Sequence, residues 1–409
     1  MLNFRQYITE AVAESDLVGV PKTLHDFLFH LSGPSDTTNS HTLKEETELS
    51  EVAVFDINRG KDHPDNAAFE KKFPKTTHMI KLGNTLLSPS ENLHKKMGEG
   101  LRKADDEMSK EDEPTRKAKL KESKKVLESF SKERGYKSAP SLLGENGKTM
   151  KSTGEGVHTL GLALAPHTTS GLKKFDVCPR ASSDCRKNCL GTEAGGNRQY
   201  PDQALGSKVL RTHFLVMHPE HAARILDDEI GKHVKSAKKK GYKPGVRLNV
   251  TSDIAWEHHM PKLFDRHKEA QFYDYTKMHN RVGHPDLPKN YHLTLSHTGT
   301  GHDESNDQHV VNALEKGHVV ASVYQRGKGV PTPTHMEDVK TGKRYPIANG
   351  DDDDNTFDRH AVTGRTEGKP GHGVVSGLRL KGVKNEAAGV FANKVDPDGI
   401  IRINHPKKV

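Results

Sequence analysis

Cys178, Cys185 and Cys189 are the three cysteines of this chain. All lie in one short polar segment, Val177-Cys178-Pro179-Arg180-Ala181-Ser182-Ser183-Asp184-Cys185-Arg186-Lys187-Asn188-Cys189. Cysteines serving as small core residues would be scattered. Thiolates gathered on one loop suit a metal, because each is a soft anionic ligand. Three of them leave a fourth position for another ligand or a substrate. The C-x6-C-x3-C spacing matches neither the paired cysteines of zinc ribbons nor the runs of ferredoxins. Two readings stay open: a metal or Fe–S centre, and a disulfide with one free thiol. A chain without a secretory signal is expected to meet a reducing cytosol, which disfavours the disulfide. A closed metal site needs a further ligand, and Asp176, Asp184 and His167 are nearest in sequence.

From about residue 141 the sequence alternates apolar strands with helical segments. Strands are predicted at Gly156–Ala165, Val246–Val250, Gln271–Lys277, Tyr291–Ser296, His318–Tyr324 and Gly373–Leu380. Helices are predicted at 202–240, Pro261–Glu269 and Asp307–Lys316. This alternation implies an α/β fold of parallel β/α units, a complete or partial (β/α) barrel, with an open doubly wound sheet as the alternative. Ligands of such folds sit beyond the carboxyl ends of the strands. Asn249, Thr251, Ser252, Asp253, Asp274, Thr276, Lys277 and Ser296 fall there, and the cysteine loop should open on the same face. Asn249, Thr251, Ser252 and Asp253 are the candidate cofactor-binding residues. Asp253, Glu257, Asp274 and Lys277 are the candidate catalytic residues. A hydrolytic zinc centre would need a base, and Glu257 or His297 could serve. Each polar residue taken singly reads as ordinary loop capping; the set together reads as a pocket. The acidic run Asn349-Gly350-Asp351-Asp352-Asp353-Asp354-Asn355 reads as an exposed turn rather than a cation site.

Upstream, Leu24–Leu31 reads as a short helix or strand and Val52–Ile57 as a strand. From Ser90 to Lys137 the composition turns to Lys, Glu, Asp and Ser, interrupted by Pro114. That predicts one or two polar helices acting as a solvated spacer, with opposite charges mixed and few aromatics. The division is residues 11–89, a small N-terminal region; 90–140, a charged helical spacer; and 141–409, the α/β domain with the cysteine cluster.

The chain has 409 residues, 32% of them hydrophobic and 29% charged, with a formal net charge of +8. That length allows two or three domains. No apolar run reaches the length of a membrane span, so a membrane partner is not expected. The basic surplus is compatible with nucleic acid, though lysine-rich solvated helices give the same number. Most of the 26 histidines read as surface or structural.

Several stretches together carry a family resemblance. They are Asn146–Thr149, Leu164–Gly171, the cysteine segment, Arg247–Glu257, Phe272–Lys277 and Tyr291–Ser296. In order and spacing they resemble the phage gene-product-eighty-eight family over about residues 141–395. That family has no settled reaction. Its late Gly-Asp-x-x-Asp-x-Arg-like turn is loosely kept: Gly350, Asp351, Asp354 and Gly377-Leu378 fit, and the Arg is displaced. A cysteine loop after the first strand of a β/α barrel also resembles the radical S-adenosylmethionine arrangement. This implies an Fe–S cluster with S-adenosylmethionine as cofactor, zinc being the alternative, although the cysteine spacing differs and a Gly-Gly-Glu after strand two is lacking. The N-terminus, with Phe4, Tyr7, Ile8 and Glu10, resembles the capsid-targeting peptide of T-even phage internal head proteins. It implies cleavage between Glu10 and Ala11 by a prohead protease, partners in the phage head or scaffold, and a place in the virion interior and host cytoplasm. The expectation is a packaged phage protein with a cysteine-bound centre, acting on nucleic acid or a nucleotide. A non-enzymatic internal virion protein with structural zinc is the alternative.

Overall fold

The computed structural model describes residues 64–87, 92–146, 149–189, 202–327, 329–381 and 385–404. Leu24–Leu31, Val52–Ile57 and the Glu10-Ala11 cleavage point lie outside them.

Among the described residues four helices come first: α1 (Pro64–Lys72), α2 (Pro74–Thr85), α3 (Leu93–Met108) and α4 (Glu113–Glu133). Asn92 and Asp112 cap α3 and α4, their side chains accepting from the amides of Lys95 and Thr115. Pro114 therefore opens α4 rather than breaking a longer helix, since a first-turn proline loses no intrahelical hydrogen bond. The charged surface of these helices is real, but it covers only part of them. Met97, Leu101, Ala104, Met108, Leu127 and Phe130 are buried, in one apolar cluster with residues of the α/β part. They pack on α6 (Asp202–Met217) and α7 (Pro219–Lys239). Sparse apolar residues at helical spacing suffice to dock them, so this stretch is not a solvated spacer.

Among the described residues ten strands form one mostly parallel sheet: β1 (Leu143–Gly144), β2 (Val157–Leu162), β3 (Lys243–Arg247), β4 (Gln271–Thr276), β5 (Tyr291–Ser296), β6 (Val319–Tyr324), β7 (His335–Asp338), β8 (Lys343–Asn349), β9 (Val374–Arg379) and β10 (Ile400–Ile403). The order is β1-β2-β3-β4-β5-β6-β9-β8-β7-β10. From β2 to β6 neighbours in sequence are neighbours in space and parallel. Within β2 to β6 the order has no reversal; beyond β6 it runs β9-β8-β7, against the chain. β1 and β10 are its edges and do not pair with each other among the described residues.

The remaining helices are α5 (Ser183–Lys187), α8 (Trp256–His259), α9 (Pro261–Arg266), α10 (Asp307–Glu315) and α11 (Arg359–Val362). Phe264 of α9 stacks on Tyr291 and meets Phe272 edge-on, so Phe272 and Tyr291 mark the helix-covered face. Alternate residues mark the opposite face, where Tyr273 meets Phe357. The acidic segment lies on this second face. Asp354 is fully buried and pairs with Arg247 at 2.8 Å, and Asp353 holds Arg359 at 2.9 Å. The exposed turn expected from its composition is thus partly a buried one, because Arg247 of β3 and Arg359 of α11 neutralise it.

Candidate functional site at the strand ends

The loop after β3 is built around Asn249. Its side-chain oxygen accepts from Ser252 Oγ at 2.9 Å, the Ile254 amide at 2.9 Å and Trp256 Nε1 at 3.2 Å. Its amide nitrogen donates to the Ile254 carbonyl at 2.9 Å. Asn249 and Ser252 therefore spend their side chains on the loop itself. Thr251 Oγ1 donates to the Leu164 carbonyl at 2.6 Å, tying this loop to the one after β2. The Asp253 amide donates to the Val177 carbonyl at 2.7 Å, which fixes the cysteine segment against the same loop.

Asp253 and Glu257 converge on Arg281. Arg281 Nη1 lies 2.8 Å from Asp253 Oδ1, and Arg281 Nε lies 2.7 Å from Glu257 Oε1. Burial pushes the Asp253 carboxyl up, against the pull of Arg281. Burial also opposes ionisation of Glu257, but the Arg281 guanidinium prevails and holds it below the usual range. Asp274 accepts from the Leu248 and Asn249 amides and from Tyr291 Oη. Burial raises it to about 7, with Arg247 acting in the opposite sense. Asp274 thus anchors β3 to β4 on the helix face, away from the opposite face that Tyr273 and Tyr275 share.

Lys277 and Ser296 meet on that opposite face. Lys277 Nζ lies 3.1 Å from Ser296 Oγ, and its amide donates to Asp253 Oδ2 at 2.8 Å. The strand register aligns Tyr275 with Thr294, Ser296 with Ala321, and Val323 with Leu378. Tyr275, Lys277, Ser296, Val323 and Leu378 are all half-buried, whereas Thr276, Leu295, Ser322 and Gly377 are buried. The floor near the strand ends is therefore reachable from solvent.

The cysteine segment covers this end of the sheet. Ser182 caps α5 by accepting from the Cys185 amide. Ser183 donates from its amide and hydroxyl to Glu304 Oε2, at 2.8 and 2.7 Å. Asp184 accepts from the Val390 amide at 3.0 Å, and Asn188 donates to the Ala388 carbonyl at 3.3 Å. Cys178 lies 3.6 Å from the Thr251 carbonyl, and its amide donates to Asp176, which pairs with Arg186 at 2.8 Å. Burial pushes the Cys178 thiol well up; the His167 amide opposes this, and Cys189 adds to it. Burial lowers the Lys208 ammonium to about 8, and Cys189 acts against that fall. Cys178 and Cys189 are thus electrostatic neighbours. His167 sits on a strained turn with φ of +40°, and its buried Nε2 has no hydrogen-bond partner. Burial lowers its imidazole to about 4. These donors are of the right chemistry for a metal, but among the described residues no three His, Cys, Asp or Glu side chains are gathered into a ligand set.

The alternative bases are engaged elsewhere. Both Glu257 oxygens face Arg281. His297 is buried, with Nε2 2.7 Å from Asp307 and Nδ1 3.2 Å from Ser322 Oγ, and Asn393 completes that cluster. Sequence reading missed Arg281, Asp307, Ser322 and Asn393. A lone Arg in a loop carries no periodic signal, and the other three are separated by long stretches of chain.

A mostly parallel sheet with its polar residues and a cysteine cover at the strand ends makes this a mixed α/β protein. The family model described as gene product 88 matches residues 131–391, more than half of the chain, and the chain belongs to that phage family. No curated protein and no solved structure matches it. Among the described residues no helix is long and apolar enough to cross a membrane.

Proposed function

We propose that this gene product 88 family member is carried in the virion head and uses the strand-end mouth as its working site, with a metal or Fe–S centre held by the cysteine loop. The observation that supports this most is His167. Its unpartnered buried Nε2 stands on a turn tied to the cysteine segment, the His167 carbonyl accepting from the Val177 amide at 3.3 Å. Cys178, Cys185 and Cys189 would hold the centre, and His167 offers the fourth donor. Zinc there would supply Lewis-acid chemistry, and a cluster with S-adenosylmethionine would supply radical chemistry. The chain's own residues bind and orient: Thr251 and Asp253 hold the cysteine segment on the β3 loop, and Lys277 and Ser296 face the floor. The net charge of +8 suits a nucleic-acid or nucleotide substrate.

The test is metal and labile-sulfide content, with an absorption spectrum, on full-length protein purified without oxygen. Near-stoichiometric iron and sulfide, lost when Cys178, Cys185 and Cys189 are changed to Ala, is the expected result for the enzyme reading. A chain that holds no metal under these conditions defeats it. The clamp on α5 at Ser183, Asp184 and Asn188 favours a second reading, a non-enzymatic virion protein stapled by structural zinc. Stoichiometric zinc whose loss lowers the melting temperature supports that reading. Packaging is read separately, by mass spectrometry of purified particles for a chain beginning at Ala11.

A further inference from the structure

We infer that Lys277 and Ser296 form the recognition site for the carboxylate of a small aromatic or aliphatic acid lying on the floor of the strand-end mouth. The inference rests on that mouth being the functional site, and it does not require a metal there. The Lys277 ammonium is half-buried, and its Nζ has one hydrogen-bond partner, Ser296 Oγ at 3.1 Å. Phe391 lies 6.0 Å from the ammonium. Among the described residues Lys277 forms no ion pair with a carboxylate. An ammonium has three donors, so two remain for a ligand. Ser296 accepts from Lys277, which leaves its own hydroxyl hydrogen to donate. A partly desolvated cation with spare donors is costly to maintain unless an anion completes it.

The charges around it decide what kind of anion. Asp253 is satisfied by Arg281 and by the Lys277 amide. Arg186 is neutralised by Asp176, and Glu304 is bound by Ser183. The glycine-containing loop after β5 looks suited to phosphate, but its amides are spent. Those of Thr298, Thr300 and Gly301 donate to Asn306, Asn393 and Asp307 at 2.9, 3.2 and 3.2 Å. One ammonium and one hydroxyl therefore face the ligand, which matches a single negative charge rather than a phosphate dianion. Beside them Tyr275 and Leu378, half-buried on the same side of the sheet, present an aromatic and an aliphatic surface, while Val323 packs against Leu380, Ala388 and Ala392.

The experiment is ligand-observed NMR titration of the full chain with benzoate, and with benzyl alcohol and inorganic phosphate as comparators. Benzoate is expected to bind more tightly than either. Lys277→Met should weaken it about tenfold and Ser296→Ala about threefold, the sizes of a lost charged and a lost neutral hydrogen bond. Lys277→Arg should recover part of the loss. No binding of benzoate, equal binding of benzyl alcohol, tighter binding of phosphate, or unchanged affinity in Lys277→Met overturns the inference. Thermal melts of each variant show that it is folded. Metal content of Lys277→Met reads the cysteine centre separately, so failure of one reading leaves the other standing.

Discussion

Arg281 holds two carboxylates that solvent barely reaches. Its side chain is 3% exposed, against 10% for Asp253 and 7% for Glu257. Removing one partner of such a cluster leaves buried charge uncompensated. Arg281→Met is therefore expected to cost about 3–5 kcal/mol, against the ~1 kcal/mol of a surface pair. Urea denaturation measures this, and a loss near the surface value would mean that water reaches the cluster. Residues of this kind divide the strand-end set. Asp253, Thr251, Lys277 and Ser296 were readable from their position after predicted strands, and the fold does bring Lys277 to Ser296. Asn249, Ser252 and Asp274 stood in the same list but turn inward: Asn249 and Asp274 sit where backbone amides need an acceptor, and Ser252 donates to Asn249. Sequence position reports where the chain passes, and the direction of a side chain depends on partners far along it.

At the scale of elements, close helix approach is set by glycine. A Cβ placed on Gly100 of α3 would lie 2.3 Å from Pro219 Cγ and 2.9 Å from Pro219 Cβ, at the start of α7. Ala in a helix interior gains about 1 kcal/mol over Gly, whereas forcing a methyl into a packed contact costs about 1–3 kcal/mol. The proline ring is stiff, so packing should win, and Gly100→Ala should lower the melting temperature. A rise would show that the two helices part easily. The legible elements were those with dense β-branched or aromatic residues: β4, β5, β6 and β9 fall within the predicted spans. β3 was displaced, since Lys243-Pro244-Gly245 reads as a breaker. Yet Gly245 is needed there, its would-be Cβ lying 2.1 Å from Thr159 Oγ1. β7 is short, and β7 and β8 carry His, Glu, Asp, Lys and Arg, so their pairing was invisible without the third dimension.

For the whole molecule, burial of neutral imidazoles sets the response to acid. Burial lowers His213 to about 4 and His259 to about 3. In the unfolded chain both titrate near 6.5, so the unfolded state binds more protons as the pH falls. Their contribution to stability is full above about pH 6.5 and is lost as the pH drops toward the folded values. The slope is about 1.4 kcal/mol per pH unit for each fully buried imidazole. The urea midpoint is expected to fall steadily from pH 6.5 to 4.5, and less steeply in His259→Gln. A flat profile over that range would show that these rings are hydrated in the native state.

The strand order also has a consequence for the timing of synthesis. β2 to β6 leave the ribosome in the order in which they pair, so this half of the sheet can grow outward as it is made. β9 must instead enter between β6 and β8, after the β7–β8 hairpin already exists. The contacts that clamp the cysteine helix come later still, from Ala388 and Val390, 200 and 206 residues beyond their partners. The cover over the mouth thus settles only after β2 to β9 have been made. A metal or cluster of the kind proposed for the cysteines would reach them before the Ala388–Val390 segment is made, while the mouth is still uncovered.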